Sequence, residues 1–244
     1  MTTRPFTSYD ALKLIALLAM TADHLGAFML MDAQWLRVVG RLAAPLFCFL
    51  VGWNGSYRFR RELLVGAILV TLLDVAYRSL FPLNILWVLL FGRVLMGWMD
   101  RRAKPESPTM IITVLLVWIL SFALVEYGAL ALLWMLWGRA AHKQPGSRES
   151  WIYAGASFII GLGFTCVLMQ YTSAAQYTAT ALLFGLMLFG LQRFQLREYP
   201  GMRLPGAGFL SRHALEYYVL HRAAIFVLGT VYGTVMPGLR WFEG

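Results

Sequence analysis

Four ionisable side chains sit inside the first long apolar stretch of this chain, and their types and spacing suit proton transfer. The stretch reads YDALKLIALLAMTADHLG from Tyr9 to Gly26 and carries Asp10, Lys13, Asp23 and His24. A charged side chain near a bilayer centre costs about 2.5–3.5 kcal/mol on insertion scales, so an apolar helix keeps such groups for a reason. At about 100° per residue, the eleven steps from Lys13 to His24 close three turns. Asp10, Lys13, Leu17, Thr21 and His24 therefore share one face, with Asp23 about a quarter-turn away. Asp10 and Lys13 also fit helix-end anchoring, the lysine reaching out to the headgroups. Asp23 and His24, about 20 Å from Asp10 along the axis, do not. Neutral imidazole can accept a proton near pH 7 or act as a nucleophile. Asp23 or another carboxylate could orient the ring or stabilise an imidazolium.

The elements that hold these groups are membrane-length helices. The chain has 244 residues, of which 59% are hydrophobic and 14% charged, against about 25% charged in soluble domains. The apolar runs predict nine segments, with eight to ten as the range: 11–31, 37–56, 62–80, 83–99, 109–124, 128–138, 151–170, 177–192 and 209–235. The fifth and sixth are short, broken by Glu126-Tyr127-Gly128, and could form one long or re-entrant element. The expected fold is an all-α polytopic transmembrane bundle, one domain over residues 1–244. Its first helix lacks a basic leader and a small-residue cleavage site, so it is expected to act as its own insertion signal.

Formal net charge is +9, and the basic residues alternate between loops. Arg58, Arg60 and Arg61 follow the second segment, and Arg101, Arg102 and Lys104 the fourth. Arg139, Lys143 and Arg148 follow the sixth, and Arg193, Arg197 and Arg203 the eighth. The positive-inside rule then predicts a cytoplasmic N-terminus and an external C-terminus. Within that frame His24, Arg41, Asp74, Asn84, Glu126, His221 and Arg222 gather between mid-membrane and the outer face. Asp74 and Arg78 are four residues apart and can pair. Arg37, Arg41, Pro45, Cys48, Gly52 and Gly55 share a face of the second helix, where small residues permit close approach. Arg41 or His221 could stabilise a tetrahedral oxyanion. A structural ion-pair network would keep the same charges in the membrane.

Other classes are excluded or unsupported. No soluble basic domain or reading motif points to nucleic acid. Cys48 and Cys166 lie in apolar runs and make neither a disulfide framework nor a zinc site, and no metal is called for. No G-x-S-x-G, H-E-x-x-H, P-loop or G-x-G-x-x-G occurs in a suitable context. Gly229 and Gly233 form a small-xxx-small packing pair.

The opening D-x-L-K-x-I-A…M-x-x-D-H-x-G, here Asp10, Leu12, Lys13, Ile15, Ala16, Met20, Asp23, His24 and Gly26, resembles the TraX-like family of membrane N-acetyltransferases that modify pilin. The block GRLAAPLFCFL, Gly40 to Leu50, looks like the same family. Weaker echoes are Asp74 in LLDVAY, Asn84, Glu126-Tyr127-Gly128, where the family usually has Asp first, and Tyr217 to His221. The chain departs from the family's pattern at Trp53-Asn54-Gly55. Transmembrane acyltransferases more widely show a basic residue, ten intervening residues and then His, the spacing of Lys13 and His24. The resemblance implies an acyl-CoA-dependent acyltransferase centred on His24, with acetyl-CoA as donor substrate.

Taken together, these readings make His24, Asp23, Arg41 and His221 the candidate catalytic residues. Lys13, Asp10, Asn54, Asp74, Glu126 and Tyr127 are the candidate substrate contacts. Arg58, Arg60, Arg61, Arg101 and Arg102 are candidates for the phosphates of coenzyme A, because Arg forks suit phosphate. The expected partners are membrane lipid and an acceptor at or beyond the outer face of a bacterial inner membrane. The N-terminal amine of a secreted pilin subunit comes first as acceptor and a surface-glycan hydroxyl second. A proton-coupled small-solute transporter would use buried Asp, His and Arg as well, though no inverted halves are visible. A non-catalytic scaffold would not need His24. No oligomeric state follows from these features.

Overall fold

The computed structural model describes residues 5–30, 33–77, 82–101, 124–169, 171–201 and 206–231. Residues 109–123 of the fifth apolar segment and Arg78, Arg102, Lys104, Arg203 and Gly233 lie outside the described residues. The described chain is all-α apart from one two-residue strand pair.

Helix α1 spans Ser8–Phe28 and starts at a capping box. Thr7 accepts from the Asp10 amide, and Asp10 Oδ2 accepts from the Thr7 amide at 3.0 Å, satisfying two of the end's orphan donors. Strand β1 (Phe6–Thr7) pairs antiparallel with β2 (Glu198–Tyr199) and pins this end of α1 to the loop after the eighth apolar segment. The pairing is too short for any sequence periodicity to announce it.

Helices α2 (Gln34–Gly40) and α3 (Ala43–Asn54) occupy the second segment, with a bend at Arg41-Leu42. Then come α4 (Arg61–Tyr77), α5 (Ile85–Arg101), α6 (Gly128–Lys143), α7 (Arg148–Met169) and α8 (Ala174–Gln192). The last segment divides into α9 (Ala207–Arg212) and α10 (Ala214–Val231). Helix α6 runs beyond its apolar stretch, ending with His142 and Lys143 in its last turn. Among the described residues, Ser8–Phe28, Gln34–Asn54, Arg148–Met169 and Ala174–Gln192 are long and apolar enough to cross a membrane, by length and composition. Helices α7 and α8 leave Ile159, Val167, Leu182 and Leu186 exposed, the pattern of a lipid-facing flank.

Two features lock the bundle around the first helix. Helices α3 and α6 touch backbone to backbone: Gly52 faces the Met135 carbonyl and Gly138 the Phe49 carbonyl, with no room for a Cβ at either. Asn84, 2% exposed, ties α4 to α5. Its amide donates to Ala67 O (3.2 Å) and Thr71 Oγ1 (3.0 Å), and its Oδ1 caps α5 by accepting from the Leu86 amide (3.1 Å). Buried polar groups keep such partners because an unmade hydrogen bond is costly in an apolar interior.

The ends of the bundle separate cleanly. Tyr9 rings against Trp53, and Trp53 against His142. Ser8 Oγ donates to Gln195 O, and Ser150 Oγ to Gln192 Oε1. Arg139 pairs with Asp100. The start of α1 therefore lies at the same end as the described parts of all four basic loops.

Candidate functional site

A cavity of about 490 Å³ runs along α1, lined at one end by Tyr9, Asp10 and Lys13 and towards the other by Met20, Asp23 and His24. Asp10 to His24 is fourteen residues, about 21 Å of helix. Helix α3 closes one side with Ala43, Ala44 and Phe47, α5 another with Ile85, Leu86 and Leu89, and α10 a third with Leu215 and Tyr218. These side chains are largely apolar because the faces that carry them follow the 3.6-residue period.

His24 meets His221 at the deep end. His24 Nδ1 and His221 Nε2 are 2.6 Å apart, and the other nitrogen of His221, Nδ1, is 3.1 Å from the Tyr217 carbonyl. The ring centroids are 4.8 Å apart at an interplanar angle of 15°. That separation is close to the nitrogen–nitrogen distance plus one ring radius on each side. The rings therefore meet edge to edge in nearly one plane, as a hydrogen bond requires. A carbonyl only accepts, so His221 Nδ1 carries that ring's proton when it is neutral. Its Nε2 then accepts from His24 Nδ1–H, and the lone pair of a neutral His24 falls on Nε2. Tyr217 steadies the partner: its hydroxyl and Thr21 Oγ1 are 2.8 Å apart, which fixes α10 to α1 one turn below the pair.

Asp23 looks the other way. Its carboxylate takes Arg41 Nη2 and lies 3.7 Å from Arg37 Nε. Gly40 makes this possible, since a Cβ there would collide with Asp23 itself. Asp74 pairs across helices with Arg222, whose guanidinium lies 5.0 Å from the centre of the Phe28 ring; Arg78, the partner expected for Asp74, lies outside the described residues.

The Glu126-Tyr127-Gly128 turn closes the deep end against α5. The Leu83 amide donates to Leu124 O and the Glu126 amide to Leu83 O, both at 2.9 Å. Tyr127 is the one non-glycine residue with positive φ (61°) among the described residues. An aromatic side chain in the left-handed region is uncommon and costs energy. Both Glu126 and Tyr127 line the cavity.

The model of the TraX protein family matches residues 8–229. The chain belongs to the TraX family. It is also similar to an uncharacterised protein of Rickettsia prowazekii (strain Madrid E), 25% identical over 185 residues, which are 74% of this chain and 69% of the relative. No solved structure matches it.

Within this family member the structure sorts the candidate residues into those on the cavity and those behind it. His24, Asp23, Asp10, Lys13, Asn54, Glu126, Tyr127 and Arg60 are on the cavity wall. Asp10 also caps α1 and accepts from Ser211 Oγ (2.6 Å), while Lys13 Nζ donates to Ser211 O (3.0 Å). Arg41 and His221 stand behind the wall, Arg41 holding Asp23 and His221 holding His24. Carboxylate orientation of His24 by Asp23 is thus replaced by orientation through a second imidazole. Asp74, Arg58, Arg61 and Arg101 are not on the wall either, and Arg102 lies outside the described residues.

Several ionisable wall residues stand outside the sequence candidates: Glu62, Arg212, Glu216 and, most buried of them, Arg93. Arg93, 6% exposed, lies in the middle of α5 on the face of Ile85, Leu86 and Leu89. Its Nε donates to the Arg58 carbonyl at 3.2 Å. The loop carrying Arg58 is folded inward by the left-handed Gly55 (φ 64°) and by Tyr57, whose hydroxyl donates to Gly52 O at 3.0 Å. Burial pushes the Tyr57 phenol up to about 12, so this donor keeps its proton. The signal for Arg93 was present: an arginine in the apolar run FGRVLMGW is a functional candidate by its position alone.

Proposed function

We propose that this TraX-family chain is an acetyltransferase embedded in a bacterial inner membrane, moving an acetyl group from cytoplasmic acetyl-CoA to an acceptor at the outer face. The N-terminal amine of a pilin subunit is the first acceptor. The observation that carries this is the cavity itself, which joins the basic end of the bundle to a histidine whose lone pair is set on Nε2 by His221. A thioester threaded along it would present its carbonyl at His24 while its nucleotide stays near the basic loops.

In the transfer the acceptor nitrogen attacks the thioester carbonyl carbon and His24 Nε2 takes the proton that the amine releases. The tetrahedral intermediate collapses, the C–S bond breaks, and the thiolate leaves with a proton returned from His24. His221 accepts the Nδ1–H bond of His24 throughout, and so steadies the imidazolium that forms between the two steps.

Purified protein incubated with radiolabelled acetyl-CoA and candidate acceptors tests this. Label is expected on the N-terminus of a pilin-like peptide. Label on a glycan hydroxyl instead would move the acceptor and keep the chemistry. No transfer from folded protein to either acceptor would overturn the reading. In oriented vesicles, turnover is expected with acetyl-CoA on the side of the basic loops only.

A further inference from the structure

Arg93 is a buried cation with little to balance it. Among the described residues its side chain has a single hydrogen bond, from Nε to the neutral Arg58 carbonyl. The ion pairs among the described residues engage Asp23, Glu62, Asp74, Asp100 and Glu216, and none reaches Arg93. The charged side chain that acts on it is Arg60, of the same sign, alongside the phenols of Tyr9 and Tyr57. Burying a guanidinium costs several kcal/mol unless an opposite charge and further hydrogen bonds compensate. With Nε used, both Nη groups remain, and they form the fork that matches phosphate oxygens.

The position of Arg93 adds to this. It is eight residues from Ile85, about 12 Å down α5 from the layer of Asn84 and the Glu126 turn. Arg60 lines the same cavity with it. An anion at Arg93 therefore leaves the length of the cavity between itself and His24.

We propose that Arg93 is an anion-binding residue that takes a phosphate group of the molecule occupying this cavity, with Arg60 adding to the local positive field. Identifying that molecule as the acyl donor rests on the acetyltransferase reading; the phosphate site itself rests on Arg93 and its surroundings. A phospholipid headgroup is the other source of the same chemistry.

The test is equilibrium binding of coenzyme A and of pantetheine, which lacks the phosphates, to the full chain in detergent, with bound phospholipid counted by phosphorus assay. Arg93→Gln is expected to weaken coenzyme A binding by about tenfold or more, the worth of a lost hydrogen bond to a charged group, and to leave pantetheine binding unchanged. Arg93→Lys keeps the charge without the fork and is expected to fall between; it takes the same measurements if the glutamine variant does not fold. Loss of bound phosphatidylglycerol with coenzyme A binding intact would assign the phosphate to lipid. Folded Arg93→Gln with both coenzyme A binding and lipid content at wild-type levels overturns the site. If the wild-type protein transfers no acetyl group yet its coenzyme A binding depends on Arg93, the transferase reading falls and the phosphate site stands.

Discussion

The two ends of the cavity treat charge differently. At the His24 end the ionisable groups pair with one another within the protein: Asp23 with Arg41 and Arg37, Asp74 with Arg222, His24 with His221. At the other end Asp10 and Lys13 are held by Ser211, Glu62 lines the cavity 3.5 Å from Arg60 and is largely exposed, and no ion pair among the described residues reaches Arg93. Charges that are satisfied internally hold a geometry and do not need a ligand. Charges left to a carbonyl and a like-charged neighbour are favourable only when something anionic arrives. On the proposed reading the deep end serves as a fixed reaction centre and the shallow end as a receptor.

The largest effect should come from the reaction centre. His24→Ala is expected to fold and to lose acetyl transfer by a hundredfold or more, the range of general acid–base catalysis. His221→Leu should cost roughly tenfold, because it removes the acceptor that sets the tautomer. His221→Gln should recover part of that loss, since an amide oxygen can accept from His24 Nδ1–H. Single-turnover rates at saturating acetyl-CoA separate these outcomes. Equal activity of the leucine and glutamine variants would show that hydrogen bonding between the rings plays no part.

Next in size is the pair formed by Asp23 on the wall and Arg41 behind it. Arg41 and Asp23 have side-chain exposures of 7% and 16%. Arg41→Ala leaves the Asp23 carboxylate without its main partner and should destabilise the fold by about 3 kcal/mol, the lower end for breaking a buried pair. Adding Asp23→Asn removes the stranded charge and should restore part of the lost thermal midpoint. A double variant no more stable than Arg41→Ala would mean that the pair is held for reasons other than charge balance.

The same contrast explains what could be read in advance. Helix positions were legible because apolar length in a membrane sets them: α1, α4, α5, α7 and α8 lie within a few residues of the runs that predict them. His24 and Asp23 were legible as charges where lipid exacts a cost. Their partners were not. Lys13 and His24 share a face, yet the helical period says nothing of which neighbouring helix meets that face, so the contacts of Lys13 with Ser211 and of His24 with His221 emerge only from packing. Asp74 shows the same limit, because no local spacing in the sequence announces its cross-helix pair with Arg222. Glycine roles divide in the same way. Gly40 reads as one small residue among several, and only the approach of α1 shows that it makes room for Asp23.

The smallest effects belong to the surface arginines, and they sharpen the receptor side of the comparison. Arg61 and Arg101 are exposed and off the cavity wall. Between exposed charges, attraction is screened within about 8 Å at physiological salt, and surface pairs contribute about 0–1 kcal/mol. Charge reversal at Arg61 or Arg101 should therefore change the Michaelis constant for acetyl-CoA by less than about twofold. Arg60 lines the mouth but is itself largely exposed beside Glu62, so Arg60→Glu should raise the constant by only about threefold. The constant for the acceptor should stay level in all three, because the proposed acceptor site is at the other end. Measured in one buffer against Arg93→Gln, the series should rise with burial: Arg61 and Arg101 least, Arg60 next, Arg93 most. A series in which Arg61 or Arg101 matters as much as Arg93 would place the phosphates on the open surface, and the shallow end of the cavity would then have no receptor role.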